Sequence, residues 1–241
     1  MKSSEVREGG PGLLACLLDI GTSAQVKDFL GGGKLSFPTM TGNPVEVLAI
    51  LAGYLLGSVS FSHLLARSKG MDLRSMGSGN LGATNAARSL GRSFGAAVYF
   101  LDAAKGALPV LAAIWILDLP AGGWIPIFAG AGALLGHVWP IWHGFRGGKG
   151  VATLTGAMFV LQPLSGLAAA GVALLLAKLC GYMSVGSLAY GVVLFAGAWL
   201  GHEEIPVLAF SGLAALFLFF THRSNLKRLL NGTETRMGDP I

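Results

Sequence analysis

Hydrophobic residues dominate the chain from residue 45 to residue 221, in blocks that short polar segments separate. A helix needs about 20 apolar residues to cross the hydrocarbon core of a bilayer. On that measure we place candidate spans at 45–66, 94–117, 124–142, 151–162, 163–179, 184–200 and 205–221. The pattern predicts an all-α integral membrane protein with about seven transmembrane helices and cytoplasmic polar loops. Five or six spans are the alternatives.

The uncertainty in the count lies in the fourth and fifth candidates. Gln162-Pro163 alone separates them, and the fourth is short for a span. Two arrangements stay open for this stretch. Either the fourth segment is a half-span, or the pair forms one broken re-entrant hairpin.

The composition agrees with lipid as the solvent. The chain is 53% hydrophobic and 12% charged, whereas soluble domains carry about 25% charged residues. The net charge of +5 is typical of loops that face anionic lipid. No basic run with interleaved aromatic residues is present, so we expect no nucleic-acid partner. Two cysteines, Cys16 and Cys180, provide no disulfide framework and no metal-ligand spacing.

The basic residues predict the orientation in the membrane. Beyond residue 44, the seven-span topology leaves one base, Lys105, inside a span and puts the others on one side. They are Arg67, Lys69, Arg74, Arg88, Arg92, Arg146, Lys149, Lys178, Arg223, Lys227, Arg228 and Arg236. The opposite connections carry Asp118, Glu203 and Glu204. The positive-inside rule therefore places 67–93, 143–150, 180–183 and the C-terminus in the cytoplasm.

The first 44 residues differ in kind from the rest. They mix Gly, Ser, Lys and Glu around one apolar patch, Leu13 to Ile20, which is too short to span a membrane. We expect residues 1–44 to be a poorly ordered or non-native extension, with Met40 as an alternative start. Residues 45–236 are then one transmembrane domain.

Three polar segments interrupt the apolar pattern, and the predicted topology puts all of them on the cytoplasmic side. They read GSGNLGATNAAR (77–88), GFRGGKGVAT (144–153) and THRSNLKRLLNG (221–232). Glycine exposes backbone N–H groups, and basic, hydroxyl and amide side chains add donors, a combination that suits phosphate. Three such segments beside a bilayer predict chemistry on a phosphorylated substrate that is partly lipid.

Individual donors follow from this interpretation. Arg88 offers a bidentate fork and Lys149 a compact charge held between glycines. The other expected phosphate contacts in these two segments are Ser78, Asn80, Thr84, Asn85 and the N–H groups of Gly77, Gly79, Gly147 and Gly148. The alternatives without ligand binding are a tight membrane turn for the first segment and simple positive-inside anchoring for the second.

Two better-known phosphate motifs fail here. Gly77, Gly79 and Gly82 satisfy G-x-G-x-x-G, but that fingerprint needs a preceding strand, and this segment lies between membrane spans. The run 147–150 resembles a P-loop, yet His143 stands at the required first glycine and Gly150 where Ser or Thr should follow Lys149.

Histidines and buried charges complete the candidate chemistry. His137 and His222 adjoin the second and third segments, so each is a candidate base or phosphate donor, with interfacial anchoring as the alternative. Asp102 and Lys105 lie inside a span at i, i+3, where self-pairing that braces the helix is the preferred interpretation. The H-x4-D acyltransferase motif is absent. There is no cluster of metal ligands either, so we expect no metal and no cofactor. The three segments offer no carboxylate base.

The quoted segments resemble the bacterial acyl-phosphate:glycerol-3-phosphate acyltransferases, small integral membrane enzymes of phospholipid synthesis. The resemblance rests on GSGNLGATNAAR, GHVWPIWHGFRGGKGVAT and THRSNLKRLLNGTE, together with SLGR (89–92), DAAKG (102–106) and YMSVGS (182–187). It runs in order from about residue 45 to 236. The sequence departs from the family in its long N-terminal extension, in Gly181 where a basic residue is usual, and in Ser224 where Glu is common.

The resemblance implies transfer of an acyl group from acyl phosphate to the 1-hydroxyl of glycerol 3-phosphate. The products are 1-acylglycerol 3-phosphate (lysophosphatidate) and inorganic phosphate. It implies a seven-span protein of the bacterial inner membrane, in contact with its lipids, with a cytoplasmic active site. The oligomeric state stays open, a monomer being one option.

The resemblance also implies roles for particular residues. Ser78 and Arg88 match substrate contacts, Lys149 matches a phosphate-binding lysine, and His222 and Asn225 match a polar pair. Ser184 matches a hydroxyl of a minor motif. His137, Asp102 and Lys105 are expected to support the site. Two rival functions are kept, namely a transporter of a phosphorylated solute and an acyl-CoA-dependent acyltransferase.

Overall fold

A computed structural model describes residues 43–239, and this part of the chain is helical without strands. Its α-helices, numbered in chain order, are α1 (Pro44–Gly57), α2 (Phe61–Arg67), α3 (Ala83–Leu90), α4 (Arg92–Ile116), α5 (Trp124–Val138), α6 (Val151–Leu161), α7 (Pro163–Cys180), α8 (Met183–Leu200), α9 (Ile205–Thr221) and α10 (Arg223–Leu230). Short 3₁₀ turns occupy Leu73–Ser75 and Ile141–His143. The all-α membrane fold predicted from the sequence is confirmed.

Each predicted span coincides with a helix or helix pair. Within the described residues, five segments are long and apolar enough to cross a membrane: Pro44–Arg67, Arg92–Ile116, Trp124–His143, Pro163–Cys180 and Met183–Leu200. The bent pair α9 and α10 makes a sixth, and α6 is a shorter apolar helix. The predicted break at Gln162 is real, because its extended backbone (φ −145°, ψ 77°) separates α6 from α7.

The first predicted span, 45–66, is interrupted. Its N-terminal end is capped by Asn43, whose side chain accepts a hydrogen bond from the N–H of Val45 at 3.0 Å. Helix α1 ends at Gly57, and Ser60 caps the start of α2 by accepting from the N–H of His63. The rest of the predicted extension, residues 1–42, lies outside the described residues.

Close backbone contacts at small residues hold the spans together. A Cβ at Gly53 or Gly57 would overlap the backbone of α5, and one at Gly106 or Gly156 would overlap the facing backbones of α6 and α4. In lipid the hydrophobic effect does not drive helices together, so such close packing supplies the association. The pairs α1–α5 and α4–α6 are therefore fixed at short range, and they position the polar ends of α4, α5 and α6.

Two apolar cores lie on either side of these contacts. The larger one joins α5, α6, α8 and α9 and includes Leu154, Met158, Leu194 and Leu218. The smaller one packs Leu73, Leu81, Ala86 and Val98 beneath the first polar segment. That second core explains how a glycine-rich loop between two spans keeps a fixed shape.

Candidate active site

A cavity of about 520 Å³ opens where the three polar segments meet. Its polar wall is formed by Ser78, Asn80, Thr84, Asn85, Arg88, Asp102, His137, Lys149, Ser184, His222, Asn225, Arg228 and Glu234. Its apolar wall includes Gly95 and Ala96 of α4, and Ala170, Ala173 and Leu174 of α7. One space thus combines a cationic, hydrogen-bonding end with a surface suited to a hydrocarbon.

The first polar segment owes its shape to Asn85 near the start of α3. The Asn85 Oδ1 accepts from the N–H of Ser78 at 2.9 Å, and its Nδ2 donates to the carbonyls of Leu73 and Met76. Gly77 and Gly79 adopt φ of 54° and 68°, which favour glycine. Asn85 lines the cavity, but both hydrogens of its amide are engaged inside the loop, and its demonstrated role is to fix the turn that carries Ser78.

The second segment folds back onto the end of α5. The N–H groups of Gly147 and Gly148 donate to the carbonyls of Val138 and His137, each at 3.1 Å. A Cβ at Gly147 would strike the His137 carbonyl, and one at Gly148 would strike the His137 ring. These glycines therefore allow close approach and place Lys149, whereas the phosphate contact expected from their N–H groups stays a prediction.

Lys149 and Asn225 join the second and third segments. The Lys149 Nζ donates to Asn225 Oδ1 at 2.5 Å, and the Thr221 hydroxyl donates to the Lys149 carbonyl at 3.1 Å. Asn80 reaches the Gly147 carbonyl from the first segment at 3.5 Å. The three polar segments, which lie far apart in sequence, are thus tied to one another around Lys149.

A carboxylate lies in the centre of this network, contrary to the expectation that the site lacks one. Glu234 Oε1 accepts from Asn225 Nδ2 at 2.6 Å and from the Ser184 hydroxyl at 2.8 Å, and its Oε2 accepts from Arg228 Nε at 2.7 Å. Both of its oxygens thus accept hydrogen bonds from donors of the protein. Those hydrogen bonds hold the pKa of Glu234 below its usual value against the opposing effect of burial.

The segment after α10, residues 231–239, contributes Glu234 to the cavity wall, and we call this segment the strap. Arg88 donates to the Thr235 carbonyl at 3.1 Å, and the N–H of Met237 donates to the Gly181 carbonyl at 2.8 Å. Glu234 directly precedes the first of these two contacts. The strap therefore fastens the C-terminal residues to α3 and to the start of α8.

Positive charge exceeds negative charge at this end of the cavity. Burial, reinforced by the charge of Arg228, lowers the pKa of Lys149 to about 8, with Glu234 opposing the shift and Arg88 adding to it. Glu234 offsets one of the three cations Arg88, Lys149 and Arg228. The imbalance leaves about two positive charges for a ligand to neutralise, which matches a phosphate at neutral pH.

His222 is a buried, oriented ring between α9 and α10. Its Nδ1 lies 2.9 Å from the Leu218 carbonyl, which only accepts hydrogen bonds, so Nδ1 carries the proton. In the neutral ring, Nε2 is then an acceptor. Such a ring can accept a hydrogen bond from a substrate hydroxyl, a role that differs from donating to phosphate.

Asp102, Lys105 and His137 form a second polar cluster, deeper in the protein. Lys105 Nζ lies 2.9 Å from Asp102 Oδ1, and the side chains of both residues are 2% exposed. The predicted self-pairing is confirmed. His137 Nδ1 lies 3.8 Å from the same carboxylate oxygen, and Asp102 and His137 also line the cavity.

Five residues expected from the sequence do not line the cavity: Gly77, Gly79, Gly147, Gly148 and Lys105. The others are brought together there. The sequence analysis missed Arg228 and Glu234, although Arg228 lies within the third segment and Glu234 lies two residues after it. The signal was a lone acidic residue in an otherwise basic stretch.

Comparison with known proteins shows the family to which the chain belongs. A family model described as glycerol-3-phosphate acyltransferase matches residues 47–232. The chain belongs to the glycerol-3-phosphate acyltransferase family. The resemblance inferred from the three polar segments is thereby confirmed.

Curated relatives and solved structures of the family extend the match over most of the chain. The glycerol-3-phosphate acyltransferase of Anaeromyxobacter sp. is 41% identical over 82% of this chain and 99% of its own. That of Aquifex aeolicus is 37% identical over 78% of this chain and 96% of its own. The crystal structure of PlsY (YgiH), an integral membrane glycerol 3-phosphate acyltransferase, in its glycerol 3-phosphate form superposes with a TM-score of 0.76. It is 37% identical and covers 80% of this chain and 96% of that one.

The same integral membrane acyltransferase is also known in a lysophosphatidic acid form, which matches this chain with a TM-score of 0.75 and 36% identity. This chain is accordingly a multi-pass membrane protein of the family.

Proposed function

We propose that the protein transfers an acyl group from acyl phosphate to the 1-hydroxyl of glycerol 3-phosphate, giving lysophosphatidate and inorganic phosphate. The observation that carries the proposal is the single cavity in which Lys149, Arg88 and Arg228 adjoin an apolar wall. Glycerol 3-phosphate and lysophosphatidic acid, the ligands named for the related crystal structures, are the acceptor and product of this reaction.

We place the transferase domain at residues 45–236, as seven spans with the cavity open to the cytoplasm. In this topology α6 and α7 cross separately and the basic residues outside the spans face the cytoplasm. The bacterial inner membrane is then the location. A membrane site suits the chemistry, because the acyl donor and the product both carry a hydrocarbon chain.

In the proposed reaction two phosphates share the cavity, where the excess positive charge offsets part of their combined negative charge. Arg88, Lys149 and Arg228 supply charge, while Ser78, Asn80, Thr84, Ser184 and Asn225 supply neutral donors around them. Two anions repel each other unless cations stand between them. Lys149 is the residue best placed to do so, because it lies at the junction of all three polar segments.

The apolar wall supports binding of the acyl chain. Ala170, Ala173 and Leu174 on α7 and Gly95 and Ala96 on α4 line the cavity. Small side chains leave room for an extended chain, which enters from the bilayer and is therefore held by van der Waals packing and not by transfer out of water. The acyl carbonyl is then held at the boundary between this wall and the cationic end.

The transfer step is a direct displacement. The 1-hydroxyl oxygen of glycerol 3-phosphate attacks the acyl carbonyl carbon, a new C–O ester bond forms, and the bond from that carbon to the phosphate oxygen breaks. A phosphate oxygen of a substrate takes the hydroxyl proton, and inorganic phosphate leaves. His222 Nε2 orients the hydroxyl, and Lys149 and Arg88 stabilise charge on the departing phosphate.

Holding two anions in reacting geometry is the main contribution of the protein. Proximity and orientation supply roughly 7–11 kcal/mol in well-aligned reactions. Glu234 is unsuited to act as base, since its oxygens accept hydrogen bonds from Ser184, Asn225 and Arg228. The mechanism therefore requires no protein base.

The decisive experiment measures phosphate release by the purified protein in lipid vesicles. Glycerol 3-phosphate is supplied with palmitoyl phosphate or, in parallel, with palmitoyl-CoA. Release of phosphate and formation of lysophosphatidate with palmitoyl phosphate alone are expected. Turnover with palmitoyl-CoA alone would mean that the acyl donor is acyl-CoA and not acyl phosphate. Failure with both donors would favour a transporter of phosphorylated solutes.

The proton assignment has its own test. His222→Ala and His137→Ala are each expected to keep the shape of the pH profile of kcat, because neither ring removes the proton. A profile that loses its dependence on a basic group in either variant would assign that ring as the general base and overturn the substrate-assisted step.

A further inference from the structure

We infer that Asp102, with its partner Lys105, is a positioning residue for the Lys149 loop and acts through the ring of His137. The inference rests on the proposed function, and it assigns to this buried cluster a role beyond bracing a span. Four observations support it: the Asp102–Lys105 ion pair, the hydrogen bond from Lys105 to the break between α1 and α2, the unpartnered Nδ1 of His137, and the packing of the Lys149 loop against the His137 ring.

The ion pair is anchored to a second element. Lys105 Nζ, besides meeting Asp102, donates to the Val59 carbonyl at 2.7 Å. Val59 lies in the break between α1 and α2. A backbone carbonyl at such a break needs a donor, since no water is available at membrane depth. The position of the cluster is therefore fixed by two spans and not by α4 alone.

The position of α4 is also fixed relative to the loop. A Cβ at Gly106 would overlap the Thr153 carbonyl, and one at Gly156 would overlap that of Ala103. These contacts hold the part of α4 that carries Asp102 against the first turns of α6, which follow Lys149 directly. Little sliding between the two helices is available.

The ring of His137 connects the cluster to the loop. Its Nδ1 is buried without a hydrogen-bond partner among the described residues and lies 3.8 Å from Asp102 Oδ1. Its other face meets Gly148, where a Cβ would strike Nε2. The N–H of Gly148 also donates to the His137 carbonyl. The ring therefore supports the residue that precedes Lys149.

The unpartnered Nδ1 of His137 beside the Asp102 carboxylate indicates how the two residues interact. A shift of less than 1 Å makes the Nδ1–H donate to Asp102, an orientation that settles the ring beneath Gly148. The carboxylate fixes the ring, the ring fixes the glycine, and the glycine fixes Lys149. A misplaced Lys149 weakens phosphate binding without removing any group that reacts.

The test separates positioning from bracing by restoring charge balance. Replacing a buried ion pair with neutral residues of similar volume is often neutral for stability, whereas removing one partner is destabilising. Asp102→Leu/Lys105→Gln is therefore compared with Asp102→Leu and with wild type. Leucine removes the acceptor that faces His137, and the glutamine amide keeps a donor for the Val59 carbonyl. Phe100→Leu, at an exposed position of the same helix, controls for purification and reconstitution.

For each protein, KM for glycerol 3-phosphate and kcat are measured at saturating palmitoyl phosphate, together with thermal unfolding and amide exchange at 147–150. We expect the double variant to melt close to wild type and keep kcat within about threefold. Its KM should rise by about tenfold, and exchange at 147–150 should accelerate. A double variant that recovers KM along with its melting temperature would reduce the cluster to a brace and overturn the inference.

A loss of kcat with a changed pH profile would make the pair a base and would also overturn it. The proposed function fails differently, because wild type itself would then form no lysophosphatidate. Amide exchange at 147–150 still decides the positioning role in that case.

Discussion

Two buried polar networks lie beside the same cavity, and they differ in charge balance. At the cavity mouth, Lys149, Arg88 and Arg228 face one carboxylate, Glu234. Deeper in α4, Asp102 and Lys105 neutralise each other within one turn of helix. Excess charge is retained only where a ligand can complete it, since an uncompensated buried charge is costly. This difference supports our proposals that the substrate phosphates bind beside Lys149, Arg88 and Arg228 and that the deeper cluster is a fixed support.

The two networks also differ in how they are connected. The mouth joins residues from α3, the 144–150 loop, α8, α10 and the strap. The deeper cluster joins neighbours on one helix to the ends of two others. A network assembled from distant segments can be loosened by changing one residue, so it provides the strongest tests.

The largest effect is expected at the charge that joins the three segments. Lys149→Ala should lower kcat/KM at least a hundredfold, roughly 2.7 kcal/mol of transition-state stabilisation, because it removes the cation between two phosphates. Arg88→Ala should lose a similar factor. Initial rates of phosphate release measure both. Lys178→Ala, an exposed lysine at the end of α7, is the matched control, and a near-wild-type rate for Lys149→Ala would sink the assignment.

Removal of Glu234 should affect stability more than chemistry. Glu234→Ala leaves Ser184, Asn225 and Arg228 without their shared acceptor, at a cost of roughly 1–3 kcal/mol. A domain of this size then melts several degrees lower, at about 2–4 °C per kcal/mol. Glu234→Gln retains an acceptor for Ser184 and Asn225 and should fall between. Equal melting temperatures for wild type and the alanine variant would contradict the strap's role.

The pH dependence tests the excess charge directly. The pKa of Lys149 is lowered to about 8, so the protonated form dominates at neutral pH and is lost as the pH rises through 8. We expect kcat/KM for glycerol 3-phosphate to fall above pH 8, approaching about tenfold per pH unit. Lys149→Arg, if it retains turnover, should lose that limb because guanidinium stays charged. A profile flat to pH 9.5 would show that this charge is not needed.

The smallest effect is expected at the exposed end of the strap. Arg236 Nε lies 3.3 Å from the Tyr182 hydroxyl, and its guanidinium stacks over that ring. Exposed pairs of this kind contribute little, so Arg236→Ala should change stability by less than about 0.5 kcal/mol. Thermal unfolding beside Glu234→Ala measures the contrast. A loss as large as that of Glu234→Ala would mean that the strap is held from its exposed end.

Much of the architecture was predictable because the bilayer restricts the choices. A segment in hydrocarbon must satisfy its backbone internally, so apolar length is enough to place a helix. The helices α4, α5, α7, α8 and α9 all fall on predicted spans for this reason. The break at 58–60 was missed because Ser58 and Ser60 are compatible with a helix, and the contact that satisfies the Val59 carbonyl comes from Lys105, 46 residues away.

The composition of the polar segments predicted which residues form the site, but it did not predict which atom each donor contacts. Ser78, Arg88, Lys149, His222 and Asn225 line one cavity, as expected from three donor-rich segments. The use of each donor was not predictable: the N–H of Gly148 and the amide of Asn85 serve the protein's own backbone. Glu234 was overlooked because its meaning depends on Arg228, Ser184 and Asn225 being within 3 Å of it.

The sequence by itself determined the membrane fold, the family and the donor-rich segments, because each of these depends on local composition and order along the chain. Only the tertiary structure decided which donors remain available to a ligand, that a carboxylate closes the network, and that the ring of His137 lies between Asp102 and Gly148. Those features depend on distances between residues that are far apart in sequence. Such distances are set by helix packing, which no single segment encodes.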